Sequence, residues 1–244
     1  MSLTFMPVDD AAEVEPSQPT LWVDDGQAPD VPGADDGVRG SASPRVIENG
    51  MYADDTVDER LEGLTFRLCA FRDVSFDGAR ELRGCTFEKC VFIGCSFKSV
   101  ALTNCSFNVC VFKQADFFDT LFKDCRMLGC EVLGARCTAM AVRGGDWSYS
   151  NLAGLKFAHQ GLRDVRLREA ALTDCTFKDC DLTGSDLTRA TVHGASFAGC
   201  DLRGARLDGV AMAEASWRGS KIDLAQCIVI AQEGTGAIYE EPVG

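Results

Sequence analysis

CTFEKCVFIGCSFKSVALTNCSFNVC, Cys85 to Cys110, carries five cysteines, and their spacing decides the fold. They stand at Cys85, Cys90, Cys95, Cys105 and Cys110, all separated by multiples of five. Two residues after each comes a phenylalanine: Phe87, Phe92, Phe97, Phe107 and Phe112. A zinc knuckle uses C-x2-C pairs, which this stretch lacks. The cysteines therefore read as part of a repeat rather than as a metal or redox motif.

The repeat runs far beyond the quoted stretch. From Leu82 to Ile222 an apolar residue, nearly always a large one, recurs at every fifth position, twenty-nine times without a slip. Upstream, Leu61, Phe66, Phe71 and Phe76 keep the same step, and one extra residue intervenes before Leu82. Two positions before most of these residues sits a small one: Cys, Ala or Ser. A helix repeats at 3.6 and a strand at 2, so neither explains a period of five. The chain must turn a corner every five residues. Eleven of the thirteen cysteines, all but Cys137 and Cys227, occupy the small position, where they serve as compact apolar fillers. The filler pattern is least regular at Gly145, Ser150, Leu155, Gln160 and Val165, which predicts local distortion there.

Units such as CDLTG (180–184), SDLTR (185–189), CDLRG (200–204) and ARLDG (205–209) resemble the A-(D/N)-L-x-x unit of pentapeptide-repeat proteins. The resemblance covers about 61–222. It implies an all-β fold, a right-handed quadrilateral β-helix with four pentads per coil. Residues twenty apart then share a face. In such a coil Cys85, Cys105 and Cys125 stack, but ladder side chains point in parallel, which disfavours disulfides.

The chain divides into three parts: an acidic tail (1–55), the solenoid (56–222) and a C-terminal cap (223–244). Residues 1–55 carry twelve acidic and two basic side chains and six of the seven prolines. That composition buries too little apolar area to offset ordering entropy, which predicts disorder. Two apolar islands, around Phe5 and Trp22, read either as scattered coil residues or as docking peptides. Residues 56–244 are close to neutral, with twenty-five acidic and twenty-two basic side chains. No stretch is long and apolar enough for a membrane span, and the N-terminus lacks the pattern of a secretory signal. With an odd cysteine count, these point to a reducing cytoplasm.

Function should lie on the outward positions. One column reads Arg83, Thr103, Lys123, Arg143, Arg163, Thr183 and Arg203. It is either a solvated face compensated by Asp124, Asp164 and Asp201, or an anion-binding stripe that could receive the acidic tail. A second face presents Val91, Ile93, Val111 and Leu133, which reads as a partner interface or as simple strand propensity. After the repeat, Asp223 and Gln226 form a capping-box signature. The spacing predicts a helix over 224–233 that buries Leu224, Cys227, Ile228 and Ala231. Val229 then faces outward as a dimer contact. No catalytic motif appears, the two histidines are outward, and the pattern calls for no metal and no cofactor.

The resemblance implies a non-enzymatic protein-binding solenoid. The gyrase-interacting branch of the family implies DNA gyrase as partner, with protection against quinolone antibiotics or immunity as the role. The segment KIDLAQCIVIA (221–231) is similar to the end of those proteins. DNA mimicry needs dense negative charge, which the near-neutral repeat lacks. The alternative is a scaffold or adaptor, for instance in a secretion system. Direct nucleic-acid binding is not expected, because outward aromatics do not interleave with the basic residues.

Overall fold

Each pentad lays down one short extended segment and then turns, and the chain winds into a four-sided parallel β-solenoid closed by one C-terminal helix. The computed structural model describes residues 46–235. The register is the one a period of five requires. On face 1, Phe87 pairs with Phe107 and Phe107 with Met127. Face 2 aligns Phe71, Phe92, Phe112 and Val132. Face 3 runs through single bridges, Ser96 to Asp116 to Arg136, and then the pair Lys156–Ala158 with Thr176–Lys178. Face 4 aligns Leu82, Leu102, Phe122 and Val142. Beyond Arg143 most of the ladder continues as single bridges rather than three-residue strands.

Two local devices make the corners. The residue two after the central one adopts φ of +52° to +73° at most corners, a region that favours Gly, Asn and Asp. In the Asp-containing pentads the carboxylate folds its own turn. Asp181 Oδ1 accepts from the Thr183 backbone N–H at 3.1 Å and from its hydroxyl at 2.6 Å. Asp186 does the same for Thr188. These Asx turns give the D of each D-L unit a structural role.

The interior is a set of ladders. Phe71, Phe92 and Phe112 stack at 4.8 and 4.7 Å with nearly parallel rings, and rings of adjacent faces meet edge-on. Face 3 stacks Phe157, Phe177, Phe197 and Trp217, with Cys137 interrupting the column above Phe117. The cysteines do more than fill space. Cys105, Cys125 and Cys175 donate Sγ–H to the carbonyls of Leu82, Leu102 and Leu152 at 3.2, 3.1 and 2.9 Å. Each acceptor is the central residue of the coil below. Thr120 and Ser220 serve Phe97 and Phe197 in the same way through hydroxyls. A small side chain with a weak donor suits this site better than alanine.

The sequence boundary at 56 lies too far downstream. Strands Val46–Glu48 and Met51–Ala53 belong to the first coil, where Ile47 pairs with Phe66 and Tyr52 with Phe71. The inward positions there are Ile47, Tyr52, Val57 and Leu61. The step from Val57 to Leu61 is one residue short, and the step above it, Phe76 to Leu82, is one residue long. A 3-10 turn at Asp77–Ala79 takes up the excess. Sequence reading caught only the insertion, because the missing residue hides the period upstream. Phe5, Trp22 and the rest of residues 1–45 lie outside the described residues.

Distortion occurs where the fillers change. Gly145 sits at φ +99° with its backbone against that of Cys125. The buried Trp147 Nε1 and Gln160 Oε1 find no hydrogen-bond partner among the described residues. A void of about 10 Å3 lies between Trp147, Leu152, Leu162 and Val165.

The helix spans Leu224–Thr235. The reciprocal capping box is present: the Gln226 N–H donates to Asp223 Oδ1 at 3.0 Å, and the Asp223 N–H donates to Gln226 Oε1 at 2.9 Å. The buried face differs from expectation. Gln226 is buried and its amide also donates to the carbonyls of Leu202 and Ala205, while Ile230 packs on the core. Leu224 is 75% exposed and Cys227 is exposed, whereas Val229 is half-buried. The helix is rotated relative to its apolar pattern because the solenoid end presents carbonyls, and the glutamine satisfies them.

Candidate interaction faces

The basic column is a real stack on face 4: Arg83, Thr103, Lys123 and Arg143 are in register. Its electrostatics differ along the length. Arg83 lies 3.4 Å from Glu81, and Arg163 donates to Asp181 at 2.6 Å. Arg203 grips Asp201 through Nε and Nη2 at 2.9 and 2.6 Å, and this guanidinium holds the Asp201 carboxyl down to about 2. Among the described residues, Asp201 is the one of the three expected compensators that forms an ion pair with the column. Asp124 and Asp164 instead lie over Gly144 and Gly184 of the next coil, filling the space a Cβ would need. Lys123 and Arg143 make no ion pair among the described residues.

Face 2 brings together Val91, Ile93, Val111 and Leu133 on adjacent strands. Only Leu133 is exposed, at 38%; the others are half-buried beneath neighbouring coils. Apolar side chains more exposed than these lie at the corner where face 1 turns into face 2. Leu68, Val109 and Tyr149 are each more than half exposed. Sequence reasoning passed over them. The signal was present, since an apolar residue at a corner position breaks the preference for Gly, Asn or Asp.

The histidines face solvent, His159 beside Asp179 and His193 beside Glu214, each at 3.7 Å. All thirteen cysteines are free thiols, and twelve of them are buried. Burial pushes the Cys137 and Cys175 thiols up to about 12, far from the thiolate range in which cysteine reacts. The exposed Cys227 should be the one thiol that a disulfide reagent titrates in the native protein, the other twelve reacting only after denaturation. Rapid native labelling of several thiols would show that the ladders are open.

No helix among the described residues is long and apolar enough to cross a membrane. Family models for pentapeptide repeats match residues 71–108 and 150–189 in an eight-copy form and residues 177–221 in a nine-copy form. No curated protein sequence matches the chain. Among solved structures, the chain is similar to full-length QnrB1, a plasmid-mediated fluoroquinolone resistance protein. Identity is 21% over 78% of this chain and 99% of QnrB1, with a TM-score of 0.52. It is also similar to HetL, a pentapeptide repeat protein involved in heterocyst differentiation regulation in the cyanobacterium Nostoc. There identity is 15% over 73% of this chain and 87% of HetL, with a TM-score of 0.51. These likenesses are of fold. With the period of five, the four-sided ladder and the matched repeats, the chain is a member of the pentapeptide-repeat proteins.

Proposed function

We propose that this protein acts by binding another protein on its solenoid wall, not by catalysis. The packed interior carries this reading. Stacked rings and cysteine ladders fill the bore, and the void beside Trp147 is only about 10 Å3, so recognition falls to the outer faces. The outward carboxylates engage in turns and ion pairs, as at Asp181, Asp186 and Asp201, rather than converging on one point. Thirteen free thiols suit a reducing compartment such as the cytoplasm.

The specific partner proposed is DNA gyrase, with protection of the enzyme as the outcome. Its support is the likeness of fold to QnrB1 together with the capped C-terminal helix. The contact would not be a mimic of DNA, because guanidinium groups offset carboxylates along the wall, as at Arg67, Arg163 and Arg203. A homodimer through the helix would present Leu224 rather than Val229. The test is supercoiling by purified gyrase under an inhibiting dose of a fluoroquinolone. Restored supercoiling on adding the protein is expected. An unchanged assay rejects gyrase and leaves the scaffold reading, which the apolar corner at Leu68 and Val109 favours independently.

A further inference from the structure

The corner between faces 1 and 2 holds an arrangement that folding does not require. Leu68, Lys89, Val109, Gly129 and Tyr149 stand one above another, each donating its backbone N–H to the coil above. Leu68 and Val109 have φ of +54° and +53°. A β-branched side chain in that region is strained. Exposure makes the placement costlier still, since Leu68 is 52% and Val109 58% exposed. Elsewhere the same pentad position carries small or polar residues, among them Asp73, Gln114, Asp124, Ala139, Asp164 and Glu169, and no other β-branched one at positive φ among the described residues.

Between these two side chains lies a groove of about 250 Å3, lined by Arg67, Leu68, Glu88, Lys89, Asn108 and Val109. That is below the ~300–1,000 Å3 typical of small-molecule pockets and suits a single inserted side chain. The charges at its rim are unequal. Arg67 is held by Glu48 at 2.6 Å and by Glu88 at 2.8 Å. Lys89, between the two apolar walls, makes no ion pair among the described residues. The groove thus offers apolar walls and one uncommitted cation.

We propose that this corner groove docks a partner segment that presents an apolar side chain beside a carboxylate. The apolar side chain enters between Leu68 and Val109, and the carboxylate pairs with Lys89. Gly129 keeps the space above Val109 open, its nearest neighbour being Val109 Cγ2, at 3.8 Å from where a Cβ would stand. The inference rests on the protein-binding reading and gives that reading a place and a chemistry.

The test uses the full chain and a short fluorescein-labelled synthetic peptide centred on Leu-Phe-Asp-Asp, read by fluorescence anisotropy. Peptides with Ser-Ser in place of Leu-Phe, or Lys-Lys in place of Asp-Asp, should bind about tenfold more weakly or worse. Val109→Asn should remove binding while raising the melting temperature, because asparagine relieves the strained backbone. Lys89→Glu should invert the preference between the Asp-Asp and Lys-Lys peptides. Absence of binding to the wild-type chain, or binding unmoved by Val109→Asn, overturns the proposal. A pull-down separates the two levels. A partner captured equally by wild type and Val109→Asn leaves the protein-binding reading standing and removes the corner from it; capture of no partner by either removes both.

Discussion

Replacing Phe92 by alanine should cost about 3–5 kcal/mol of stability, the range for truncating a fully buried phenylalanine. Phe92 has no solvent exposure and lies at the middle of an aromatic network. It stacks on Phe71 and Phe112 and meets Phe87 and Phe97 edge-on, at 5.5 and 5.8 Å. Aromatic pairs of this kind contribute roughly 0.5–1.5 kcal/mol each beyond the area they bury. The coils on either side cannot close on the gap, because their spacing is set by the backbone ladder at Val91, Val111 and their neighbours. Phe92→Leu retains most of the volume and should cost much less. Denaturant unfolding followed by circular dichroism measures both. A solenoid is close to one-dimensional, so Phe92→Ala should also broaden the transition, as the coils on each side lose their coupling. Equal stability of the alanine and leucine variants would show that the stack contributes nothing through its geometry.

The second large effect lies at Gly145. Gly145→Ala places a Cβ 2.1 Å from the Cys125 carbonyl oxygen and 3.0 Å from its nitrogen. Both are backbone atoms, so neither can rotate away. The carbonyl is already engaged by the Asp146 N–H at 3.0 Å, and the Gly145 carbonyl accepts from the Arg166 N–H. Displacing them breaks the ladder between coils. With φ at +99°, conformational strain of roughly 1–3 kcal/mol adds to an overpacking cost of similar size. The total should reach about 3 kcal/mol or more. Gly154→Ala is the control. Its φ is +73° and a Cβ there meets nothing within 4 Å, so it should lose only the left-handed penalty of about 1–2 kcal/mol. If the two variants unfold at the same denaturant concentration, the close approach at Gly145 does not constrain the coil.

Gly145 also shows how far sequence could reach. It is a glycine at a small inward position, so the sequence marks the site as irregular. Only the path of the chain reveals that the glycine is there for its backbone angle and for contact with Cys125, rather than for its size. The cysteines follow the same division. Their burial is readable from the period, but their hydrogen bonds to carbonyls one coil below are not, because the acceptors lie twenty-three residues away.

What the sequence by itself determined is the period of five, with its inward columns, and the capping box at Asp223 and Gln226; the four faces were what the resemblance to pentapeptide-repeat proteins implied. A period of five imposes one side-chain orientation per position, so inside and outside follow from counting. What only the tertiary structure decided is everything that depends on how neighbouring coils meet. It placed the first coil at Val46, because the short step after Val57 is visible only when paired with the long step after Phe76. It turned Gln226 inward and left Leu224 exposed, because the last coil presents carbonyls rather than an apolar surface to the helix. It tied Asp124 and Asp164 to glycines of the next coil instead of to the basic column. It also moved the exposed apolar surface from the centre of face 2 to the corner at Leu68 and Val109. Side chains in the middle of a face are shielded by the coils above and below, while those at a corner diverge into solvent.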